Sequence, residues 1–120
     1  MPENTKPLDS DQRPWGSYQV LAETPNYKIK HIIVKPHSKL SYQSHQYRQE
    51  NWTVIQGQGT VIIDDQEQIV LPNQSIFIPQ GAKHRLINTQ ESPCEIIEIQ
   101  TGSYFGEDDI TRYEDEYGRS

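Results

Sequence analysis

The sequence predicts an all-β domain, either a sandwich or a barrel, from three observations. Short runs rich in β-branched and aromatic residues recur along the chain, turn-forming residues separate them, and almost no segment has the periodicity of an amphipathic helix. Strands that recur at this spacing are typical of sandwiches and barrels. The predicted strands are 27–34, 52–55, 59–63, 68–71, 75–78, 84–88 and 95–100.

Residues that disfavour regular pairing separate these strands. The first strand, 27–34, is rich in Ile and Val and ends before Pro36. Residues 1–12 are polar and contain Pro2 and Pro7, so we predict that they are disordered. Turn signals between the later strands are Gly57-Gln58-Gly59, Asp64-Asp65, Pro72-Asn73 and Glu91-Ser92-Pro93.

Length and composition predict one domain over residues 13–120. A chain of 120 residues is large enough for a single core. The formal net charge of −6 and the lack of a basic stripe argue against nucleic acid as a partner. No apolar run approaches the roughly 20 residues of a membrane span, and the first residues do not resemble a signal peptide. Cys94 is the single cysteine, so we expect a reduced, cytoplasmic protein without an internal disulfide.

Two segments contain the residues that could hold a metal ion. If 41–47 is a strand, Gln43 and His45 point to the same face about 7 Å apart, because strand side chains alternate at about 3.3 Å per residue. An amide oxygen and an imidazole nitrogen can then converge on one ion. Glu50 follows after a short break, and a turn at 79–81 places His84 at the start of another strand.

The spacing of these residues resembles the paired motifs of the cupin superfamily. Gly57 follows Glu50 at the expected distance, and residues 79–88 match Pro-x-Gly-x-x-His-x-x-x-Asn at every defined position. The resemblance implies a double-stranded β-helix, which is a jelly-roll barrel of two antiparallel sheets.

Tyr47 stands where a second histidine is common in the first cupin motif. A phenol is a poor ligand for most divalent ions near neutral pH. Either the site is impaired, or Gln43 supplies the ligand that Tyr47 cannot. We predict that the Tyr47 ring lines the cavity beside the ion without binding it. His31 and His37 lack such neighbours and are interpreted as surface or hydrogen-bonded core residues.

A longer resemblance extends from about Arg13 to Arg119. Residues 13–18, 40–45 and 95–98 occur in order before a tail that begins at Gly106 and reads Gly-Glu-Asp-Asp-Ile-x-Arg-Tyr-Glu-Asp-x-Tyr-Gly-Arg. Generic cupins lack this tail. The chain is similar to the type II mannose-6-phosphate isomerases, in particular to the C-terminal cupin domain of the bifunctional mannose-1-phosphate guanylyltransferase/mannose-6-phosphate isomerase.

This resemblance implies one divalent metal ion, with zinc as the first candidate and Mn, Co, Fe or Ni as alternatives. In the related type I isomerases, a Leu-Ser-x-Gln-x-His motif, a Glu and a later His supply the zinc ligands. Carried onto this sequence, the ligand set is Gln43, His45, Glu50 and His84.

Some positions depart from the family pattern. The family usually has His where this chain has Tyr47 and Asn51, and Gly where it has His37. The sequence lacks the Gly-rich phosphate loop of the nucleotidyltransferase half, so guanylyltransferase activity is not expected.

The implied activity is the interconversion of mannose 6-phosphate and fructose 6-phosphate. A metal ion would stabilise the charge on O1 and O2 while hydrogen moves between C1 and C2. The substrate phosphate requires cations. Arg112 and Lys30 are the predicted catalytic residues. The predicted substrate-binding residues are Arg48, Lys83, Arg85 and Tyr47.

The tail, residues 102–120, is expected to fold over the barrel mouth. There it would direct Arg112 at the cavity, while Tyr104, Phe105 and Tyr113 add apolar contacts. These aromatic side chains would be poorly placed in a free acidic tail.

Two other functions remain open at this point. A non-catalytic phosphosugar-binding cupin could work beside a separate guanylyltransferase, and the changes at Tyr47 and Asn51 favour it. His45, Glu50 and His84 also satisfy the two-histidine-one-carboxylate pattern of Fe(II) oxygenases. In each case the expected partner is a small molecule rather than nucleic acid or membrane, and the prediction allows a homodimer.

Overall fold

A computed structural model describes residues 9–114, which form twelve β-strands. This part of the chain contains no helix that is long and apolar enough to cross a membrane. The strands are β1 (Asp9–Arg13), β2 (Gly16–Glu23), β3 (Tyr27–Val34), β4 (Ser38–Lys39), β5 (Tyr42–Ser44), β6 (Arg48–Gln56), β7 (Gly59–Ile63), β8 (Gln66–Val70), β9 (Ser75–Ile78), β10 (His84–Asn88), β11 (Cys94–Gly102) and β12 (Thr111–Glu114).

The strands form two antiparallel sheets. The first sheet has the order β1-β2-β3-β11-β6-β9, and the second has the order β12-β5-β10-β7-β8, with β4 also paired to β10. Neighbours in the sheets are mostly distant in sequence, such as β3 with β11, which is typical of a jelly roll rather than a simple meander. The prediction of an all-β, two-sheet fold is confirmed.

The core lies between the two sheets and follows the period-two alternation of the strands. In β6, for example, Trp52 and Val54 are buried while Asn51 and Ile55 are exposed. Val61 and Leu86 face them from the second sheet. The complete cluster is Trp15, Tyr18, Val20, Ile32, Val34, Trp52, Val54, Val61, Val70, Ile76, Ile78, Leu86, Cys94 and Ile96.

The prediction that residues 1–12 are disordered is wrong for residues 9–12. These residues form most of β1, which pairs with β2 from Asp9 opposite Val20 to Arg13 opposite Gly16. Their side chains are exposed, so apolar patterning could not reveal the strand. Backbone hydrogen bonds of the hairpin order them instead. Residues 1–8 lie outside the described part of the chain.

The C-terminal segment lies against the second sheet as well as across the turn that precedes β6. The Ser103 N–H donates to the Tyr47 carbonyl, Phe105 is buried, and β12 pairs with β5. The predicted apolar contacts of Tyr104 and Tyr113 are only partial, since these side chains remain 45% and 47% exposed. The predicted tail continues beyond the described residues, from 115 to 120.

Candidate metal centre

A polar cavity lies between the two sheets. Lys30 of β3 and Glu98 of β11 line it from the first sheet, and Gln43 of β5, His84 of β10 and Arg112 of β12 line it from the second. Its apolar wall is shared with the core. The remaining lining residues are Arg13, Trp15, Tyr18, Ile32, Leu40, Ser41, His45, Arg48, Glu50, Trp52, Glu107 and Ile110.

His45, Glu50 and His84 converge in this cavity. His45 Nε2 lies 3.4 Å from one Glu50 carboxylate oxygen, and His84 Nε2 lies 3.9 Å from the other. One potential ligand atom from each residue lies within 4.8 Å of the others. All three side chains are buried. Gln43 stands directly opposite His84 in the β5–β10 pairing and also lines the cavity, so the four predicted ligands are brought together.

Backbone carbonyls fix the orientation of both imidazoles. His45 Nδ1 is 2.7 Å from the Asp109 carbonyl, and His84 Nδ1 is 3.0 Å from the Ala82 carbonyl. A carbonyl only accepts hydrogen bonds, so each Nδ1 carries a proton and each Nε2 is the ring nitrogen available to a metal ion. Histidines that bind metals show this arrangement. The donor set therefore fits a divalent ion, and mixed N and O donors suit Zn or a neighbouring transition metal.

Arg48 lies within the same group of side chains. Its Nε donates to Glu50 at 3.0 Å, and its Nη2 is 3.2 Å from His45 Nε2. A cation bound by His45 would use the lone pair that now accepts this Arg48 hydrogen bond. The guanidinium would therefore have to move if an ion bound there. Its Nη1, which has no hydrogen-bond partner within residues 9–114, lies 3.8 Å from Glu107.

The pKa values of His45 and Glu50 favour the protonation states that can bind a metal ion. Burial lowers the pKa of His45 to about 4, because the protonated ring would be poorly solvated. Burial alone would raise the pKa of Glu50, but the charges of His84 and Arg48 outweigh it and lower that pKa to about 2. His45 is therefore neutral and Glu50 ionised at neutral pH. Trp52 Nε1–H also donates to Glu50 at 2.9 Å and helps to hold the carboxylate.

The predicted substrate-binding and catalytic residues divide into two groups. Lys30, Arg48 and Arg112 line the cavity, and Arg112 Nε is buried with no hydrogen-bond partner in the described part of the chain. Lys83 and Arg85 do not line it.

Lys83 and Arg85 have structural contacts instead. Lys83 is exposed and lies over the Tyr113 ring. Arg85 follows His84 in β10, so its side chain points to the opposite face of the sheet. There its Nε donates to the Leu40 carbonyl at 3.0 Å, and its Nη1 lies 3.2 Å from Glu114. Neither residue is among those that line the cavity, and a part for them in substrate binding stays a prediction.

The prediction that the Tyr47 ring lines the cavity is wrong, while a part for Tyr47 in substrate binding stays a prediction. Strand β5 ends at Ser44, and residues 45–47 form an irregular turn, so the alternation that places Gln43 on the cavity face does not extend to Tyr47. Its ring is 48% exposed and packs edge-on against Tyr104.

Two carboxylates of the cavity were missed by sequence reasoning. Glu98 lies on β11 and Glu107 lies in the segment that follows it. Glu107 forms an ion pair with Lys30. Alternation along β11 puts Glu98 on the inward face between buried Ile96 and Gln100, but alternation alone does not show that this position lines the cavity.

Comparison with known proteins finds that the chain is similar to part of several longer bacterial proteins. It is 49% identical over 108 residues to the alginate biosynthesis protein AlgA of Pseudomonas aeruginosa, covering 90% of this chain and 22% of AlgA. It is 46% identical over 107 residues to a mannose-1-phosphate guanylyltransferase of Klebsiella pneumoniae, covering 89% of this chain and 23% of that protein. The chain therefore spans less than a quarter of the length of these relatives.

A solved structure and a family profile complete the comparison. A double-stranded β-helix protein from Klebsiella pneumoniae superposes with a TM-score of 0.72 at 17% identity, covering 96% of this chain and 90% of that one, which shows the same fold. The profile described as "Mannose-6-phosphate isomerase C-terminal" matches residues 3–115, nearly the whole chain. With its cupin fold and a cavity in which His45, Glu50 and His84 meet, the chain belongs to the mannose-6-phosphate isomerase C-terminal family.

Proposed function

We propose that the protein is a metal-dependent aldose–ketose isomerase that interconverts mannose 6-phosphate and fructose 6-phosphate. The observation that carries the proposal is the convergence of His45, Glu50 and His84, with ligand atoms within 4.8 Å of one another, in a cavity that also contains buried cations. Membership of the family supports the reaction assigned.

His45, Glu50 and His84 would hold the ion, with Gln43 as the fourth ligand. A bound divalent ion would supply Lewis-acid stabilisation of negative charge on O1 and O2 of the open-chain sugar. The protein itself keeps the ligands preorganised, because the Asp109 and Ala82 carbonyls hold the two rings before any ion arrives.

Three cations of the cavity suit the rest of the substrate. Arg48 and Arg112 each have a buried guanidinium nitrogen that no other described residue hydrogen-bonds, and the phosphate of the sugar can accept from both. Lys30 is buried beside Tyr18 and pairs with Glu107. An anionic substrate would compete with Glu107 for these cations. Such contacts orient the sugar so that C1 and C2 face the proposed metal centre.

The test follows the conversion of mannose 6-phosphate by NMR with protein loaded with Zn, Mn or Co. We expect fructose 6-phosphate to accumulate to an equilibrium mixture, and we expect mannose without phosphate to be a poor substrate. Binding of mannose 6-phosphate without conversion, with every metal tested, would contradict the proposal.

A non-catalytic phosphosugar-binding protein is the second candidate. It is favoured by Arg48, which occupies hydrogen-bonding positions on both Glu50 and His45 and so competes with an ion. Such a protein would work beside a separate guanylyltransferase, and binding without turnover in the NMR experiment would support it. An Fe(II) oxygenase would instead consume oxygen with the same sugar. A cytoplasmic location and a homodimer stay predictions.

A further inference from the structure

Glu98 is a buried carboxylate on the cavity wall that has no part in the proposed ligand set. Its side chain is only 5% exposed, although the residue lines the cavity. In the sheet it stands directly opposite Lys30 on β3 and opposite Trp52 on β6. Residues opposite one another in antiparallel strands share a face, so Glu98 points inward together with them.

The position of Glu98 relative to Glu50 suits a reaction at the sugar carbons. Glu50 is opposite Gln100, two residues beyond Glu98 on the same face of β11. Diagonal neighbours of this kind have Cα atoms about 7–8 Å apart. A small molecule held at the Glu50 carboxylate can therefore lie against Glu98 without Glu98 itself reaching the ion.

Glu98 is not neutralised by a direct ion pair in residues 9–114. Lys30 pairs with Glu107, and Arg48 pairs with Glu50. Gln100 Nε2–H donates a hydrogen bond to the Glu98 carboxylate.

The surroundings of Glu98 raise the pKa of its carboxyl group. Burial raises the pKa of Glu98, the negative charge of Glu50 raises it further, and Lys30 and Arg48 lower it, with a resulting value of about 7. Proton-transfer groups work best when their pKa lies near the working pH. A buried structural carboxylate would normally be neutralised by a close cation, and Glu98 lacks one among the described residues.

We propose that Glu98 is the catalytic base and acid that carries the proton between C2 and C1 of the sugar phosphate. The Glu98 carboxylate removes the proton from C2 of the open-chain aldose. The C–H electron pair forms the C1–C2 double bond, and the C1 carbonyl pair moves onto O1. Glu98 then returns the proton to C1 while O2 loses its proton to O1 and becomes the ketone oxygen, so Glu98 ends as a carboxylate.

This inference rests on the proposed isomerase function, and a matched set of variants tests it. Glu98→Gln keeps the shape and removes the base, Glu98→Asp keeps the charge but withdraws it from the cavity, and Glu95→Gln changes an outward carboxylate on the same strand that contacts His31. Turnover, bound metal and the affinity for mannose 6-phosphate are measured for each protein.

We expect Glu98→Gln to lower kcat by about 10²–10⁴-fold while metal content and substrate affinity stay close to wild type. Glu98→Asp should recover part of that loss, and Glu95→Gln should behave as wild type. A Glu98→Gln protein with a kcat within a few-fold of wild type would overturn this inference but not the proposed function. If Glu98→Gln does not fold, an undiminished kcat for Glu98→Asp overturns it equally. A wild-type protein that binds metal and substrate without turnover would overturn the proposed function, and this inference with it.

Discussion

His45 and His84 come from different parts of the chain but are oriented in the same way. Each donates its Nδ1 proton to a backbone carbonyl and presents Nε2 to Glu50. Glu50 in turn accepts from Arg48 and Trp52, so the carboxylate is held from two sides. The site is therefore ordered before a metal ion binds, and removal of one member leaves the others without their partners.

Glu50→Gln should destabilise the metal-free protein. The amide keeps the volume of the side chain but leaves the buried Arg48 guanidinium without its counter-charge, and breaking a buried ion pair in this way costs about 3 kcal/mol or more. Urea unfolding of the metal-free proteins at pH 7 measures the loss. A Glu50→Gln protein as stable as wild type would show that the pair with Arg48 contributes no net stability.

Glu98→Gln should instead stabilise the metal-free protein, and the size of this effect should depend on pH. Because burial and Glu50 raise the folded-state pKa of Glu98 from 4.5 to about 7, the folded protein binds more protons than the unfolded chain in this range. Wild-type stability attributable to Glu98 is therefore present below about pH 4.5 and is lost as pH rises through 7. The amide of the Glu98→Gln variant does not ionise, so the variant does not lose this stability as pH rises.

We expect the advantage of Glu98→Gln over wild type to grow from pH 4.5 to pH 8 by about 3 kcal/mol. Urea unfolding of both metal-free proteins at several pH values gives the difference. A difference that stays constant with pH would mean that Glu98 titrates normally in the folded protein.

The sequence could predict the four proposed ligands but not the complete lining of the cavity. Gln43, His45 and His84 lie in motifs with characteristic spacing, and the structure brings them into one cavity. Glu98 has no motif of its own, and only its register against Lys30 and Trp52 reveals its place. Register between distant strands is not encoded in local spacing, so this residue became visible only in the fold.

Among the single strands, β10 places a proposed metal ligand on one face and a residue with structural contacts on the other, because its side chains alternate. His84 points into the cavity, while Arg85 points to the other face and contacts Leu40 and Glu114. Strand β12 brings Arg112 opposite Gln43 at the cavity wall. The two arginines are therefore expected to have different functions although both are partly or fully buried.

Arg112→Ala should lower kcat/KM for mannose 6-phosphate by about 10²-fold or more, because a cation that faces the substrate is lost. Arg85→Gln is the matched control and should lower stability while kcat/KM stays near wild type. Steady-state kinetics and thermal unfolding of both variants separate the two effects. The assignment fails if Arg85→Gln has the larger kinetic defect.

The segment between β11 and β12 positions the metal centre through Asp109. The Asp109 carboxylate accepts the N–H groups of Gln46 and Tyr47 at 2.9 and 3.0 Å, and its backbone carbonyl accepts from His45. Asp109 is buried, so these hydrogen bonds are shielded from water. The same residue therefore fixes both the turn after β5 and the ring of His45.

Asp109→Asn should weaken metal binding by about 10–100-fold, because the amide cannot accept both N–H groups and the turn that carries His45 loosens. Asp108→Asn is the control, since the adjacent Asp108 is exposed and accepts only from the Tyr104 hydroxyl in the described structure. Metal titration by calorimetry compares the variants. Equal affinities for the two variants would argue that Asp109 does not position His45.

At the scale of the whole molecule, the sequence predicted the sheets better where they form the core. Strands β3, β7, β9 and β10 were predicted with the bounds that the structure shows, since their apolar residues alternate or cluster clearly. Strands β1, β4, β5 and β12 were not identified with these bounds, because they are short or have exposed polar residues. Strand β2 was also missed, although it contributes Tyr18 and Val20 to the core. Backbone pairing with neighbouring strands orders these elements, and such pairing leaves little trace in composition.

The two sheets also couple the metal centre to the stability of the whole domain. Gln43 and His84 come from one sheet and Glu50 from the other. An ion bound by all of them would link the sheets and favour only the folded state, which adds about 2.7 kcal/mol at a free metal concentration of 100 times Kd.

The proposed isomerase function requires one divalent ion in this cavity, held by His45, Glu50 and His84 with Gln43. The most direct measurement is turnover of mannose 6-phosphate by protein stripped of metal and then reloaded, with bound metal quantified in the same samples. We expect no turnover in the stripped protein, recovery in proportion to metal up to one ion per chain, and neither binding nor recovery in His84→Ala. Full turnover by the stripped protein, or recovery in His84→Ala equal to wild type, would contradict it.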